Sequence, residues 1–187
     1  MNKLISSIAL FLVAVVTTAV LSAPRPAMAA NAAEISRDAQ AALNTLYEKK
    51  LIPNVLGEKA KAILVFPSIL KMGFIVGGQG GNGALIENGK TVAYYNISAA
   101  SYGLQAGIQE FGYAMFLMTD SARAYIDKSD GWEVGVGPTI VVVDAGAAKS
   151  LTTTTAKDDV YAVIFSQKGL MAGIGIQGSK ITRIHPD

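Results

Sequence analysis

From Gly73 onward, apolar residues alternate with small or polar ones at a period of two, which is the pattern of β-strands. The runs are short, rich in β-branched and aromatic residues, and separated by Gly, Asn, Asp or Ser. Such closely spaced short strands predict an antiparallel architecture. Together with a run at 63–66, we expect strands at 73–76, 84–86, 91–95, 102–109, 113–118, 132–137, 140–143, 160–166 and 173–176.

The segment before these strands has helical spacing instead. Residues 33–48 place their apolar side chains on one stripe, and Asn31 is the expected N-cap, with Glu34 three residues later. Shorter helices are expected at 54–61 and at 120–127, the latter capped by Asp120 or Ser121. The predicted fold is a single α+β domain, mainly an antiparallel β sandwich or barrel with the N-terminal helices packed against it.

Residues 1–29 have the features of a secretory signal peptide. Lys3 gives a positive start, 4–21 form an apolar stretch, and Ala27-Met28-Ala29 is an A-x-A cleavage site. An uncleaved membrane anchor is the alternative interpretation. We expect cleavage, which leaves a mature protein with a single domain at 30–187. This mature protein would be periplasmic or secreted. No residue is a cysteine, so a lipoprotein anchor, thiol catalysis and thiolate metal sites are excluded.

Removal of the signal peptide makes the remaining chain electrically neutral. Lys3 and Arg25 account for the whole excess of sixteen basic over fourteen acidic residues. A neutral chain has no global field that attracts nucleic acid, and its remaining basic residues are scattered. We therefore expect no nucleic-acid partner, and any attraction to an anionic surface must come from a local patch.

The glycines at 78–83 match the dinucleotide-binding pattern G-x-G-x-x-G, but they lack the helix that this site requires. Only four residues separate Gly83 from the turn dipeptide Asn88-Gly89. We expect a hairpin loop at 78–83 that binds no nucleotide. A second group of glycines, at 135 and 137 and at 173 and 175, predicts strands with one bare face, which suits either tight curvature or a lipid or partner lying close.

The residues needed for common catalytic sites are missing. His185 is the single histidine, and no cysteine is present, so Ser-His-Asp and Cys-His arrangements and the common zinc sites cannot form. Acidic residues at turns are usually solvated, although a carboxylate mechanism or calcium binding remains an alternative. Those residues are Asp127, Asp130, Glu133, Asp158 and Asp159. We expect no catalytic site, metal site or cofactor.

Four blocks of sequence follow one another in a distinctive order. They are 60–85, with Phe66-Pro67, Lys71-Met72-Gly73 and Gly81-Asn82-Gly83; 102–107, Tyr-Gly-Leu-Gln-Ala-Gly; Gly137-Pro138; and 165–178, beginning Phe-Ser-Gln-Lys-Gly. In this order the blocks resemble the SYLF family of lipid-binding domains. The resemblance extends over about 51–184. It implies binding to membranes and phosphatidylinositol lipids and, as in some fungal members of that family, an association with actin.

Five lysines and three apolar residues form the candidate membrane patch. The lysines would meet anionic phosphates while the apolar side chains enter the headgroup region. The residues are Lys49, Lys50, Lys59, Lys61, Lys71, Ile69, Leu70 and Met72. A simply solvated lysine face is the alternative. The predicted function is non-enzymatic binding of phospholipid in the bacterial cell envelope. The alternatives are a structural or protein-interaction role without a lipid ligand and, less expected, an unrecognised hydrolase.

Overall fold

A computed structural model describes residues 31–128, 131–134, 136–144, 157–169 and 178–187. The proposed signal peptide, Asp130, Gly135 and the glycines at 173 and 175 lie outside the described residues. The helices are α1 (Ala32–Glu48), α2 (Asn54–Lys59) and α3 (Asp120–Ile126). The strands are β1 (Ala62–Glu87), β2 (Lys90–Leu117), β3 (Trp132–Glu133), β4 (Ile140–Asp144), β5 (Val160–Gly169) and β6 (Lys180–Ile184). The α+β prediction is confirmed.

Strands β1 and β2 form one long antiparallel ribbon, where the sequence predicted several short strands. Its turn is Asn88-Gly89, and both residues have positive φ, at 49° and 75°. This geometry matches the right-handed twist of the flanking strands. The prediction of a hairpin loop at 78–83 was wrong, because those glycines remain extended and pair with residues 95–100 of β2.

The ribbon folds back on itself, so that the two ends of β1 approach each other. A side chain at Gly83 would begin 2.5 Å from the carbonyl oxygen of Val65, and one at Gly81 would collide with the carbonyl oxygen of Ser68. The absence of side chains at these two positions lets the backbones come this close. Because the start of β1 and the part of β1 near the Asn88-Gly89 turn lie side by side, the middle of the ribbon lies farthest from them.

A pair of bulges bends the sheet at one level. In β1, Pro67 and Ser68 together stand opposite the single residue Gly112 of β2. In β5, Ser166 and Gln167 together stand opposite the neighbouring residue Phe111, so each bulge adds one residue to its strand. Each bulge increases the local bend of its strand. The bulge also explains how a proline is accommodated within β1, since a bulged residue leaves the regular hydrogen-bond ladder.

The six strands form one curled sheet in the order β3-β6-β2-β5-β4, with β1 paired to β2. All pairs are antiparallel except β4 with β5. The inner face carries one apolar core, which is closed by α3 and Trp132. The outer face carries a second core, which is covered by α1. Alternation assigns the residues, so that Leu64 and Phe66 face inward whereas Ile63 and Val65 face outward.

Side-chain caps begin both longer helices. The Asn31 carboxamide oxygen accepts a hydrogen bond from the Glu34 amide at 2.9 Å, which confirms the predicted cap of α1. The cap of α3 is Thr119, whose hydroxyl accepts from the Ala122 amide, and not Asp120 or Ser121 as the sequence suggested. Thr119 lies two residues after Leu117, the last paired residue of the ribbon, so the cap is one residue earlier than expected while the helix itself begins at Asp120 as predicted.

Candidate lipid-binding surface

The fold-back places residues 70–78 of β1 and the paired residues 100–110 of β2 at one end of the molecule, here called the apex. Among the described side chains, five large apolar ones are exposed there. They are Leu70 (42% exposed), Met72 (48%), Phe74 (76%), Val76 (53%) and Ile108 (62%), here called the apolar face. Exposed apolar residues scattered singly are ordinary, but a contiguous group marks an interaction surface.

The apolar face continues the outer face of the sheet. Leu70, Met72 and Phe74 follow each other at every second residue, and Met72 pairs directly with Ile108. Beneath α1 the corresponding outward residues, such as Val65 and Phe116, are fully buried. The same alternation therefore produces a covered surface below the helix and an uncovered one beyond it.

A shallow cleft of about 570 Å³ runs through the apolar face. Its walls are the side chains of Met72, Phe74, Val76 and Ile108. The rest of its lining is backbone, contributed by Gly73, Gly77, Gly78 and Gly107. None of the described lining residues carries a charge, so the cleft suits a hydrocarbon chain better than a charged group.

The opposite face of the apex is polar and buried. Lys71 and Gln109 pair directly across the ribbon, and their side chains are only 9% and 6% exposed. On the same face, the next pair toward the body of the sheet is Ile69 with Phe111, both fully buried. The apex is thus an amphipathic ribbon, with apolar side chains outward and a polar pair inward.

The structure separates the eight residues that the sequence grouped into one patch. Leu70 and Met72 are exposed at the apex, whereas Ile69 is buried in the inner core and cannot reach a membrane from there. Lys71 faces inward for the same reason of alternation. The sequence predicted strands at 63–66 and 73–76 with none between them. In a loop, neighbouring side chains can point the same way, but the continuous strand that the structure shows sends them to opposite faces.

The other four lysines lie along the connection from α1 to the start of β1. Lys49, Lys50, Lys59 and Lys61 are all exposed. Lys61 pairs with Asp120 at 3.5 Å, beside the end of the ribbon where its backbone amide bonds the Leu117 carbonyl. From there β1 runs about 25 Å before it reaches the apolar face. These lysines and the apolar face are therefore separate surfaces.

Three of the carboxylates considered for catalysis or calcium binding, Asp127, Asp158 and Asp159, have structural partners. Asp127 accepts a hydrogen bond from the Tyr95 hydroxyl at 3.1 Å and forms ion pairs with Arg123 and Arg183. Burial and the neighbouring Asp127 carboxylate raise the pKa of Tyr95 to about 12, so its hydroxyl stays protonated and donates. Among the described residues no three acidic or histidine side chains are grouped to hold a metal.

Asp159 joins α3 to the sheet. It accepts hydrogen bonds from the Thr139 amide and hydroxyl at 3.2 and 3.0 Å, and from the Thr119 hydroxyl at 3.2 Å. These hydrogen bonds lower the pKa of the Asp159 carboxyl below its ordinary value. The lowered pKa reflects a structural tie at the start of β5.

Sequence reasoning missed the most exposed part of the surface, namely Phe74, Val76 and Ile108. It ended the candidate patch at Met72 because Gly73 was taken as the start of a separate strand. The signal was present, since apolar residues continue at every second position through Phe74 and Val76.

In the part of the chain that the structure describes, no helix has the length and hydropathy to cross a bilayer.

Comparisons with known proteins agree with the resemblance seen in the sequence. A family model described as "Ysc84: Las17-binding protein actin regulator" matches residues 98–185. The SH3 domain-containing YSC84-like protein 1 of Rattus norvegicus is 29% identical over 135 residues, which is 70% of this chain. The protein of the same name from Bos taurus is 28% identical over an equal length. The chain spans 39% of the length of these relatives.

Proposed function

Residues 98–185 belong to the Ysc84 (SYLF) family, and from this premise we propose that the chain is a non-enzymatic lipid-binding domain whose apex enters a membrane. The observation that carries the proposal is the apolar face, in which Phe74 is 76% exposed. Transfer of a side chain of this size out of water contributes about 1.5–3 kcal/mol. Exposure of the apolar face to water is therefore unfavourable, and its transfer into a partly apolar phase such as a bilayer is favourable.

A bilayer fits the apolar face better than a compact ligand does. The cleft is shallow and open, and its exposed side chains project from the far end of the ribbon. A row of apolar residues at an exposed end can lie among acyl chains without enclosing any single molecule. Glycine backbone along the cleft leaves room for hydrocarbon close to the strands.

We propose further that the domain acts outside the cytoplasm on phospholipid of the cell envelope. This location follows from the expected signal peptide at 1–29. Mass spectrometry of the exported protein should find Ala30 at the N-terminus, whereas a chain that retains Met1 would favour the anchor alternative. The second candidate is a protein-interaction role, which the family description as a Las17-binding protein favours.

Vesicle co-sedimentation at low and high salt tests the lipid proposal. Phe74→Asp places a charge at the centre of the apolar face and should abolish most binding at both salt concentrations, because apolar burial is not screened. The matched control is Val92→Asp, which changes an exposed valine (45% exposed) beside the turn of the same ribbon. Equal binding by both variants and the unaltered protein would contradict insertion of the apex. Absence of vesicle binding by the unaltered protein would favour the protein-interaction role.

The lysines should contribute less than the apolar face does. Charge reversal of Lys49, Lys50 and Lys59 changes a surface far along β1 from the apex, so it should weaken binding to anionic vesicles at low salt only. Loss of binding at high salt as well would show that this connection, and not the apex, contacts the membrane.

A further inference from the structure

The inner side of the apex carries a buried polar pair, one atom of which lacks a hydrogen-bond partner among the described residues. Lys71 and Gln109 face each other across the ribbon, and each is more than nine-tenths buried. That atom is the buried Oε1 of Gln109. A buried polar atom without a partner destabilises the folded protein, so its presence calls for an explanation.

The neighbours of Gln109 in the sheet cannot supply the missing hydrogen bond from their side chains. On the body side lie the Ile69 and Phe111 side chains, which are apolar. On β5, the residue paired with Gln109 is Gly169, which has no side chain and lies close to the Ile108 carbonyl oxygen. Among the described residues, the neighbours of the Gln109 amide in the sheet are therefore apolar side chains and bare backbone, together with the facing Lys71.

Irregular backbone borders this pair. Ser166 in β5 has φ of 53°, which is uncommon for a residue other than glycine, and it belongs to the bulge three residues before Gly169. Strained residues and bulges are concentrated near functional sites, where they redirect side chains. The segment from Ser166 to Gly169 is exposed, so solvent reaches the immediate border of the pair.

We propose that Lys71 and Gln109 form a subsite for a phosphate that carries a neighbouring hydroxyl, such as a phosphoglycerol headgroup. The Lys71 ammonium has three donor hydrogens, and it can donate to a phosphate oxygen beside its other contacts. A hydroxyl can donate to the Gln109 carboxamide oxygen and can equally accept from its amino group. The Cβ atoms of directly opposed residues lie about 5 Å apart, so the ends of the two side chains can contact two adjacent groups of one headgroup.

This subsite rests on the proposed function, because it would hold the headgroup of a lipid whose acyl part contacts the apolar face of the same ribbon. Leu70 and Met72 flank Lys71 in sequence and point to the opposite side. A ribbon lying at a membrane surface would then have its apolar face toward acyl chains and its polar pair toward headgroups. The same chemistry would also take a soluble glycerol phosphate, which the test distinguishes.

The test compares Gln109→Leu and Lys71→Met with a matched control, Lys168→Met. Lys168 pairs with Glu110 one position from Gln109 and is exposed, so its removal takes away the same charge at the same level. Glycerol 3-phosphate binding is measured by calorimetry. Co-sedimentation compares phosphatidylcholine vesicles with and without phosphatidylglycerol. Each site variant should weaken glycerol 3-phosphate binding about tenfold, as loss of a charge-assisted hydrogen bond does, and should remove the preference for phosphatidylglycerol.

The outcomes separate the possible sources of the ligand. Loss of both glycerol 3-phosphate binding and phosphatidylglycerol preference supports a lipid headgroup, and loss of the soluble binding alone supports a free phosphate compound. Unchanged binding in both site variants, or an equal loss in Lys168→Met, overturns the subsite. Binding to phosphatidylcholine vesicles should persist in Gln109→Leu but not in Phe74→Asp, so failure of the subsite is distinguishable from failure of the membrane proposal.

A folding control keeps the test decisive. Thermal unfolding should show that Gln109→Leu is as stable as the unaltered protein or more so, because an unsatisfied buried oxygen is removed. If Lys71→Met does not fold, Gln109→Glu provides the second variant, since it keeps the size of the side chain and puts a negative charge against the phosphate. Unchanged glycerol 3-phosphate binding by a folded Gln109→Glu would also overturn the subsite.

Discussion

The body and the apex of the β1–β2 ribbon are built from the same alternating strands but have opposite surroundings. In the body, residues 62–66 and 113–117 are buried on both faces, between α1 on the outside and the inner core. At the apex the outward residues are exposed while the inward pair stays buried. The strands continue past the helix that covers them. The outer face of the apex is therefore uncovered because the ribbon is longer than the helix that packs on it.

This difference implies that apolar residues of similar type have different roles at the two ends. Below α1 they hold the helix on the sheet, and their removal should destabilise the fold. At the apex they contribute little to the folded state, because they remain in water there. A fold that retains such a surface does so at a cost in solubility, which is consistent with a role in binding.

Two phenylalanines of β1 should separate the regions most strongly. Phe66→Ala removes a fully buried ring from the inner core and should lower the free energy of unfolding by about 3–5 kcal/mol. Phe74→Ala removes an exposed ring and should change it by no more than about 0.5 kcal/mol. Urea denaturation of both variants measures the contrast. A loss of several kcal/mol in Phe74→Ala would show that the apex is packed against something in the folded protein.

Two glycines of β1 sharpen the comparison further. Gly83→Ala should cost about 1–3 kcal/mol, because its methyl group would lie 2.5 Å from the Val65 carbonyl oxygen where the ribbon closes on itself. Gly80→Ala meets nothing nearer than the Ile97 carbonyl oxygen at 3.6 Å, and Gly80 has no positive φ. It should therefore be neutral or stabilise by up to about 1 kcal/mol. Equal losses in thermal unfolding would contradict the fold-back.

The smallest expected effect is a pH-dependent change in stability that arises from Asp159 in the body of the molecule. The folded-state pKa of Asp159 is lowered, so its hydrogen bonds to Thr139 and Thr119 stabilise the protein above the unfolded-state pKa of about 4. That contribution is lost as the pH falls through the lower, folded-state pKa. Asp159→Asn should therefore be less stable than the unaltered protein at pH 7, with a difference that shrinks below pH 4. A difference that is constant between pH 7 and pH 3 would exclude this role for the carboxylate.

The sequence predicted the class of fold and the helices well, because their signals are local. The α1 stripe and the Asn31 cap depend on spacing within one or two turns. The extent of β1 and β2 was not predictable in the same way. Gly78 and Gly80 resemble loop residues by type, yet their partners Ala100 and Ser98, which follow 22 and 18 residues later, hold them extended. Pairing over such separations overrides local preference.

The candidate surface was only partly predictable for a related reason. Leu70 and Met72 were identified from their neighbourhood in sequence, whereas burial of Ile69 and Lys71 depends on which face of the sheet each residue occupies. A bulge at Pro67-Ser68 decides that face, because it shifts the register by one residue. Exposure of Phe74 depends on how far α1 extends over the outer face of the sheet, and no local sequence pattern encodes that extent.

Depth of insertion at a single labelled site tests the membrane account most directly. The chain has no cysteine, so Phe74→Cys provides a unique attachment point for a polarity-sensitive fluorophore, and Val92→Cys provides the matched control on the same ribbon. On addition of anionic phospholipid vesicles, the label at residue 74 should shift to shorter wavelength and become protected from a water-soluble quencher. The label at residue 92 should do neither. Equal responses at both sites, or quenching at residue 74 unchanged by vesicles that bind the protein, would contradict insertion of the apex.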